Sequence, residues 1–317
     1  MSVLPVLDLV LIVLVIGLAA WTIVARDIFA AVLAYVAYGL LLAFVWIRLH
    51  APDVALTEAA VGGGVTGVLL ITAGKRLGAL KASEAGAPPG LVLKLVAGAL
   101  ALLVAGAVAF AVVSLPTSAP TLAPEIAAAA PGPGAGLGNP ITAVLMAYRS
   151  FDTMLEKVVL ILAVLGVWSV GADQAWGAAP APLRKPPPDG AMVFLAQILA
   201  PAGALIGIHI FWVGADAPGG AFQGGALLAA MWMIAMMARL TEPPRVASRR
   251  LRHALISGPA VFLVIGLAGA FIADAFFAFP PALAKPLILF IETFMVLSIA
   301  LALPLLVAGP PNGSDEP

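Results

Sequence analysis

The hydrophobic positions of this chain are arranged in long runs that few charged residues interrupt. About nine of these runs approach the twenty residues that an α-helix needs to cross a bilayer. Lipid offers the backbone no hydrogen-bond partner, so each run is predicted to be a helix. The predicted spans are Val3–Ala25, Ile28–Ile47, Val54–Ala73, Leu91–Leu115, Phe151–Gly171, Ala191–Val213, Gly220–Ala238, Ala254–Phe277 and Leu283–Ala308. The pattern predicts an all-α, polytopic membrane protein with about nine transmembrane helices.

The composition agrees with the hydrophobic pattern. The 317 residues are 62% hydrophobic and 10% charged, and the mean hydropathy is +1.11. A soluble domain cannot bury so much apolar surface. The zero net charge gives no indication of nucleic-acid binding, and the lack of cysteine excludes disulfides and thiolate chemistry. The three scattered histidines disfavour a metal site, so no metal or other cofactor is expected.

The distribution of Lys and Arg predicts the orientation. The first run contains Asp8 and is preceded by no Lys or Arg, so we interpret it as an uncleaved span with its N-terminus outside. The C-terminus is then cytoplasmic, and only Arg48, Arg149 and Lys285 remain outside. The cytoplasmic loops collect Arg26, Lys75, Arg76, Lys81, Arg184, Lys185, Arg239, Arg245, Arg249, Arg250 and Arg252. We expect a multi-pass protein of a bacterial or archaeal plasma membrane.

Three segments interrupt the series of spans. Residues 114–139 are rich in Ala, Pro and Gly and are predicted to form an irregular external loop. Residues 172–190 contain five prolines and are predicted to be a semi-rigid cytoplasmic linker between a five-span and a four-span module. The segment Asn139–Tyr148 is too short to cross the membrane and is expected to lie along the outer interface.

Glu58 is a carboxylate inside an apolar run, one turn before the glycines Gly62, Gly63 and Gly64. A charge at such a depth costs a few kcal/mol and therefore usually faces protein or water. The three glycines allow a neighbouring helix or a file of water to approach closely. We interpret Glu58 as a proton-carrying residue; the alternative is a carboxylate that reaches the interface beside a packing surface.

A second group of ionisable residues begins the fifth span. Asp152 and Glu156 are four residues apart and Arg149 is three residues before Asp152, so the three can share one helix face. Lys157 points about a quarter-turn away. Glu156 and Lys157 suit a proton relay, whereas for Arg149 and Asp152 an interfacial ion pair is the preferred interpretation.

A third group combines a glycine-rich turn with two isolated ionisable residues. Pro218 ends the preceding helix, and the pairs Gly219–Gly220 and Gly224–Gly225 permit a tight reversal of the chain. His209 lies before the turn and is either a protonatable gate or a packing residue. Glu292 lies in the middle of the last span and is expected to be protonated or paired across helices, for example with Lys157 or His209.

Three motifs resemble domains of cation-translocating membrane complexes. The segment from Ala55 to Thr66 resembles the MbhD-type module, which occurs in the C-terminal region of the A-type subunit of Mrp antiporters and in membrane-bound hydrogenases. The segment Asn139–Glu156 resembles the MbhE-type module, and Asp216–Gly225 resembles the MnhB domain of the B-type Mrp subunit. The implied modules are 1–90, 91–171 and 191–309. The B-type subunit usually has glycine where Ala221 stands and Asp near the place of Glu292, so both positions depart from the family pattern.

The resemblance implies a non-enzymatic membrane subunit of an Mrp-type complex that exchanges Na⁺ or another cation for protons. Its partners would be other subunits, including a separate antiporter-like pumping subunit, because the long domain that precedes the MbhD-type module in the A-type subunit is not seen here. Glu58 would line the ion path and the stretch from Asp152 to Glu156 would support it. The alternatives are a subunit of a hydrogenase-type or other complex I-related pump, and a scaffold that carries no ions. A stand-alone transporter is disfavoured, because the two halves show no obvious inverted repeat.

Overall fold

The computed structural model describes residues 3–81, 90–115, 136–183 and 189–312. Its elements are helical, and in these ranges the sole extended pairing is an isolated antiparallel bridge between Pro180 and Pro311. The residues form two compact units: the described parts of Met1–Gly74 with Pro131–Pro317, and those of Lys75–Ala130. The described residues of the linker at 172–190, where the sequence predicts a module boundary, belong to the first unit.

Eleven α-helices are present in the described residues, and two π-helices separate some of them. The π-helices are Ala59–Val65, between α3 and α4, and Val144–Tyr148, between α6 and α7. The α-helices are α1 Val3–Val24, α2 Ile28–Arg48, α3 Pro52–Glu58, α4 Thr66–Lys81, α5 Leu91–Ser114, α6 Pro140–Ala143, α7 Ser150–Ser169, α8 Gly190–Val213, α9 Ala221–Met237, α10 Arg249–Ile272 and α11 Ala284–Ala308.

The prediction of an all-α, multi-pass membrane protein is confirmed. Seven helical segments among the described residues are long and apolar enough to cross a membrane: α1, α2, Pro52–Gly74, α5, α8, α10 and α11. The other two predicted spans correspond to α7, which carries Asp152, Glu156 and Lys157, and to α9, which has 17 residues. The count of nine and the orientation therefore stay predictions.

Helix α11 lies at the centre of the first unit. It packs against α7, α8, α9 and α10, and half of its most apolar stretch is buried inside the protein. The largest side chains that it contributes to the core are Ile288, Ile291, Met295 and Ile299. Helix α11 therefore meets protein rather than lipid around much of its circumference.

Glycines bring several helices into backbone contact. A β-carbon on Gly39 of α2 would lie 2.9 Å from the backbone nitrogen of Gly63. A β-carbon on Gly224 of α9 would lie 2.6 Å from the carbonyl oxygen of Gly207 in α8, and one on Gly225 would lie 2.9 Å from the Ile299 side chain of α11. These small residues act as membrane-protein interfaces commonly do, by allowing close helix approach.

The described part of the linker is held against the rest of the unit. Val246 N–H donates to the Ala178 carbonyl (3.0 Å), Ala247 N–H to the Gly177 carbonyl (3.1 Å), and Asn312 N–H to the Ala179 carbonyl (3.0 Å). Residues 172–183 thus fasten the chain before α10 to the chain after α11. Arg184, Lys185 and the three following prolines lie outside the described residues, as do residues 116–135 of the predicted external loop.

Helix α6 and the second π-helix are packed into the protein on one side. Met146 and Thr142 are buried, and the Thr142 hydroxyl donates to the Gly214 carbonyl at 2.6 Å. Ile141, Leu145 and Tyr148 remain exposed. The segment is amphipathic as predicted, but its polar Thr142 side chain makes a contact inside the protein that the interfacial interpretation did not include.

Candidate functional site

A cavity of about 200 Å³ lies where α3, the π-helix before α7, α7, the start of α9, and α11 come together. Three of the side chains that line it are ionisable: Glu156, Lys157 and Glu292. The other lining residues are Thr57, Ile141, Thr142, Leu145, Met146, Thr153, Gly219, Gly220, Ala221, Phe222, Gln223 and Met295. The cavity therefore brings Glu156 and Lys157 together with Glu292 and with the glycine-rich turn.

Glu292 is the buried acid of this cavity. It is 3% exposed on α11, and its Oε2 atom has no hydrogen-bond partner among the described residues. The backbone N–H of Ala221, the first residue of α9, lies beside the carboxylate. Free N–H groups and the helix dipole favour a negative charge at this end of α9. The other carboxylate oxygen, Oε2, nevertheless stays buried without a partner among the described residues.

Lys157 is the buried cation of the same cavity. Its side chain is 3% exposed, and Nζ lies 2.7 Å from Oε1 of Glu156, whose side chain is 54% exposed. The ammonium also lies 4.6 Å from the centre of the Phe222 ring, in a cation–π contact. It is close enough to Glu292 for their opposite charges to attract. The three residues form a series from exposed Glu156 through Lys157 to buried Glu292.

The pairing of Lys157 differs in part from the sequence interpretation. The sequence places Lys157 about a quarter-turn away from the Asp152–Glu156 face, yet its ammonium bends back to its neighbour Glu156. Of the two partners suggested for Glu292, Lys157 shares its cavity and His209 does not line it. His209 is exposed on α8.

Asp152 is also outside the cavity. Its Oδ2 atom accepts a hydrogen bond from Arg149 Nε at 2.7 Å, and both side chains are more than half exposed. This is the ion pair that the three-residue spacing suggested. Exposed pairs of this kind contribute little to stability.

Glu58 ends α3 and is followed at once by the first π-helix. Its carboxylate folds over Gly62, because a β-carbon on Gly62 would lie only 2.0 Å from Glu58 Oε1. π-helical turns are rare and often occur at functional sites. Glu58 is half-buried and does not line the cavity, but the preceding residue, Thr57, does.

The sequence interpretation missed Asp53, which is 7% exposed. Its Oδ1 atom accepts hydrogen bonds from Gly219 N–H (2.9 Å) and from Asn139 Nδ2 (3.3 Å). The signal in the sequence is a second carboxylate, five residues before Glu58. The groups that it binds are 86 and 166 residues away, so no local pattern could reveal them.

The glycine-rich turn between α8 and α9 has the tight geometry that was expected. Gly219 and Gly220 have φ angles of +151° and +134°, which residues with a side chain rarely adopt. Asp216, just before the turn, accepts two hydrogen bonds from Lys285 Nζ, at 2.6 and 2.7 Å. The hydrogen bond from Lys285 lowers the pKa of the Asp216 carboxyl below its ordinary value.

Comparison with known proteins identifies two domains. Residues 13–79 match the family model for MbhD, one of the subunits of the complex abbreviated MBH, and residues 191–309 match a domain related to the MnhB subunit of a Na⁺/H⁺ antiporter. The predicted resemblance to MbhD-type and MnhB-type domains is thereby confirmed. The MbhE-type assignment of residues 91–171 stays a prediction.

The chain also resembles one relative and two solved structures. An uncharacterised protein of Methanocaldococcus jannaschii is 28% identical in an alignment of 158 residues, and the match covers 42% of this chain and 57% of that protein. A chain of the Mrp complex from a Dietzia species has a TM-score of 0.74 at 24% identity, and the match covers 97% of this chain and 35% of that one.

A second solved structure has the same fold over a smaller part of the chain. A chain of the membrane-bound sulfane sulfur reductase, an archaeal respiratory membrane complex, has a TM-score of 0.53 at 23% identity. The match covers 68% of this chain and 97% of that one. At these identities both structural matches concern the fold. This chain spans 57% of the length of the Methanocaldococcus protein and 35% of the length of the Dietzia chain.

Proposed function

We propose that this chain, which combines an MbhD-type domain with an MnhB-type domain, is a membrane subunit of an Mrp-type cation/proton antiporter complex. It contributes part of the ion path and is not an enzyme by itself. Both domain matches and the fold shared with a chain of the Dietzia Mrp complex support this proposal. Its partners are other subunits of the complex, and its location is the plasma membrane of a bacterium or archaeon.

The observation that carries the proposal is the buried Glu292 carboxylate with one unpartnered oxygen, beside the buried Lys157 ammonium. Ionisable groups inside a membrane protein are costly and are retained mainly where they act on ions or protons. The unpartnered oxygen accepts a proton or binds a monovalent cation such as Na⁺. Lys157 lies between Glu292 and the exposed Glu156 and exchanges charge with both.

Glu156, Lys157 and Glu292 are therefore the central residues of the proposed path. Glu58 is a second proton-carrying group next to the cavity, since it follows Thr57 in the chain. Asp152 and His209 remain weaker candidates, because the first is held by Arg149 and neither lines the cavity.

The main alternative is a subunit of a hydrogenase-type or other respiratory membrane complex. The MbhD-type domain and the fold shared with the sulfane sulfur reductase favour it, but that fold match has a lower TM-score and covers less of this chain than the Mrp match. Cation–proton exchange that needs no electron donor would distinguish the Mrp-type complex.

The test is Na⁺-dependent proton release from vesicles that contain the intact complex, with Glu292→Gln and Lys157→Met. We expect each variant to lower exchange at least about tenfold, since each removes a charge on the path. Glu242→Gln is the matched control, because Glu242 is exposed in the loop after α9. If both cavity variants exchange ions at the rate of the unchanged complex, this chain is a scaffold and the proposal is wrong.

A further inference from the structure

Asp53 brings together three segments that are distant in sequence. It lies in the first turn of α3, its Oδ1 accepts from Gly219 N–H of the α8–α9 turn, and the same atom accepts from Asn139 Nδ2 just before α6. Asn139 Nδ2 also donates to the Ala217 carbonyl at 3.0 Å, on the other side of Pro218. One buried carboxylate and one amide thus hold both ends of Pro218.

Helix α3, which carries Asp53, also holds the first turn of α9. Gln223 Nε2 donates to the backbone carbonyl of Asp53 (3.4 Å) and to the hydroxyl of Thr57 (3.2 Å). The Gln223 amide oxygen then faces the position of Gly220, where a β-carbon would lie 3.2 Å from it and 3.8 Å from Oε1 of Glu292. The contacts of α3 therefore extend to the wall of the cavity beside Glu292.

The turn needs such support because its own backbone is unusually free. Gly219 and Gly220 have no side chains to restrict their φ angles, and both occupy positive φ. Gly219 and Gly220 line the cavity. Gly220 N–H donates to the Ile210 carbonyl of α8 (3.1 Å), whereas Gly219 N–H is held by Asp53.

We propose that Asp53 is a positioning residue that holds the glycine turn and Gln223 in the wall of the ion-binding cavity, and so couples the MbhD-type domain to the MnhB-type domain. This inference rests on the proposed function for its consequence in transport. The carboxylate itself touches no ion on the path. It acts through Gly219, and α3 acts through Gln223, on the wall of the cavity beside the Glu292 carboxylate.

The first test measures the turn without any transport assay. The chain has no cysteine, so Ala221→Cys provides its only thiol at a buried site that lines the cavity. Maleimide labelling of this cysteine is measured on the intact complex in native membranes, in backgrounds with Asp53→Ala, Asp53→Asn and Asp274→Asn. Asp274 is exposed after α10 and serves as the matched control.

Labelling is expected to be fastest in Asp53→Ala, by about tenfold, because the Gly219 N–H loses its acceptor and the Asn139 amide loses one of its two acceptors. Asp53→Asn keeps an acceptor oxygen for the Gly219 N–H, so its labelling rate is expected to lie between the rates of Asp53→Ala and of the unchanged chain. Asp274→Asn is expected to label at the unchanged rate. If Asp53→Ala fails to assemble, Asp53→Asn and Asn139→Ala provide the same comparison with smaller effects.

The second readout is ion exchange as a function of Na⁺ concentration. The concentration that gives half-maximal exchange is expected to rise in the order of the labelling rates, and Asp53→Asn is expected to restore part of the loss seen in Asp53→Ala. Labelling that stays the same in every Asp53 and Asn139 variant overturns the positioning role, even if Glu292→Gln abolishes exchange. If the Asp53 variants change the labelling rate but even the unchanged complex exchanges no cations, the positioning role is supported and the proposed function is refuted.

Discussion

The position of the Glu58 carboxylate depends on the missing side chain of Gly62. A β-carbon on Gly62 would lie 2.0 Å from Oε1 and 2.9 Å from Cδ of Glu58. Since these atoms end a flexible side chain, Gly62→Ala should displace the carboxylate by more than ~1 Å and leave the π-helix in place. The substitution thus moves the charge without removing it.

The expected change in stability is small. Alanine in place of glycine inside a helix stabilises by about 0.5–1 kcal/mol, and an off-rotamer glutamate costs about 0.5–1.5 kcal/mol. The two terms nearly cancel, so the unfolding temperature should change by only a few degrees. A displacement of this size at a reacting group, in contrast, lowers a rate on the order of tenfold to a hundredfold.

The assay is Na⁺/proton exchange by the intact complex in vesicles, measured across pH and Na⁺ concentration, together with the unfolding temperature. Glu58→Gln gives the effect of losing the charge. Gly166→Ala is the helical control, because outside its own helix turn no described residue comes within 4 Å of a β-carbon at that position. If Gly62→Ala and Glu58→Gln both retain unchanged exchange and pH dependence, Glu58 is not part of the ion path. If only Glu58→Gln lowers exchange, the carboxylate acts but its place over Gly62 is unimportant.

Two further predictions concern stability. Gly39→Ala should destabilise the protein by about 1–3 kcal/mol, because the new methyl group overlaps the backbone of Gly63. Gly17→Ala should be neutral or slightly stabilising, because the described residues outside its own helix turn leave the space around a β-carbon open. Equal unfolding temperatures of the two variants would refute the close contact. The Asp216–Lys285 pair should stabilise the fold above the ordinary carboxyl pKa and lose this effect as pH falls through the lowered pKa of Asp216. The unfolding temperature of the unchanged chain should therefore drop when the pH is lowered from neutral to acidic, and the drop should be smaller in Lys285→Met. An equal drop in both proteins would contradict the prediction.

Much of the architecture was predictable because lipid imposes strong local requirements. An apolar run of twenty residues must satisfy its backbone internally, so the helix and its approximate ends follow from the run itself. Predicted and observed bounds agree within about two residues for α7, α8, α9 and α11. Helix α10 starts at Arg249, five residues before the predicted Ala254, because Ser248 caps it and the polar first turn lies outside the apolar run.

The candidate site was only partly predictable. Glu156, Lys157 and Glu292 were recognisable one by one, because an ionisable residue in an apolar run is unusual wherever it occurs. Their arrangement around one cavity was not, since Glu292 lies 135 residues after Lys157. The π-helix after Glu58 was missed as well, because its residues fit an ordinary helix equally well.

The sequence by itself determined that the chain is helical and lies in a membrane, and which side chains carry charge at membrane depth. These properties depend on single segments and their solvent. The tertiary structure decided which charges meet: it placed Lys157 between Glu156 and Glu292, turned Glu58 onto Gly62, and left His209 exposed. It also gave Asp53 its partners, because hydrogen bonds between distant segments exist only after the helices have packed.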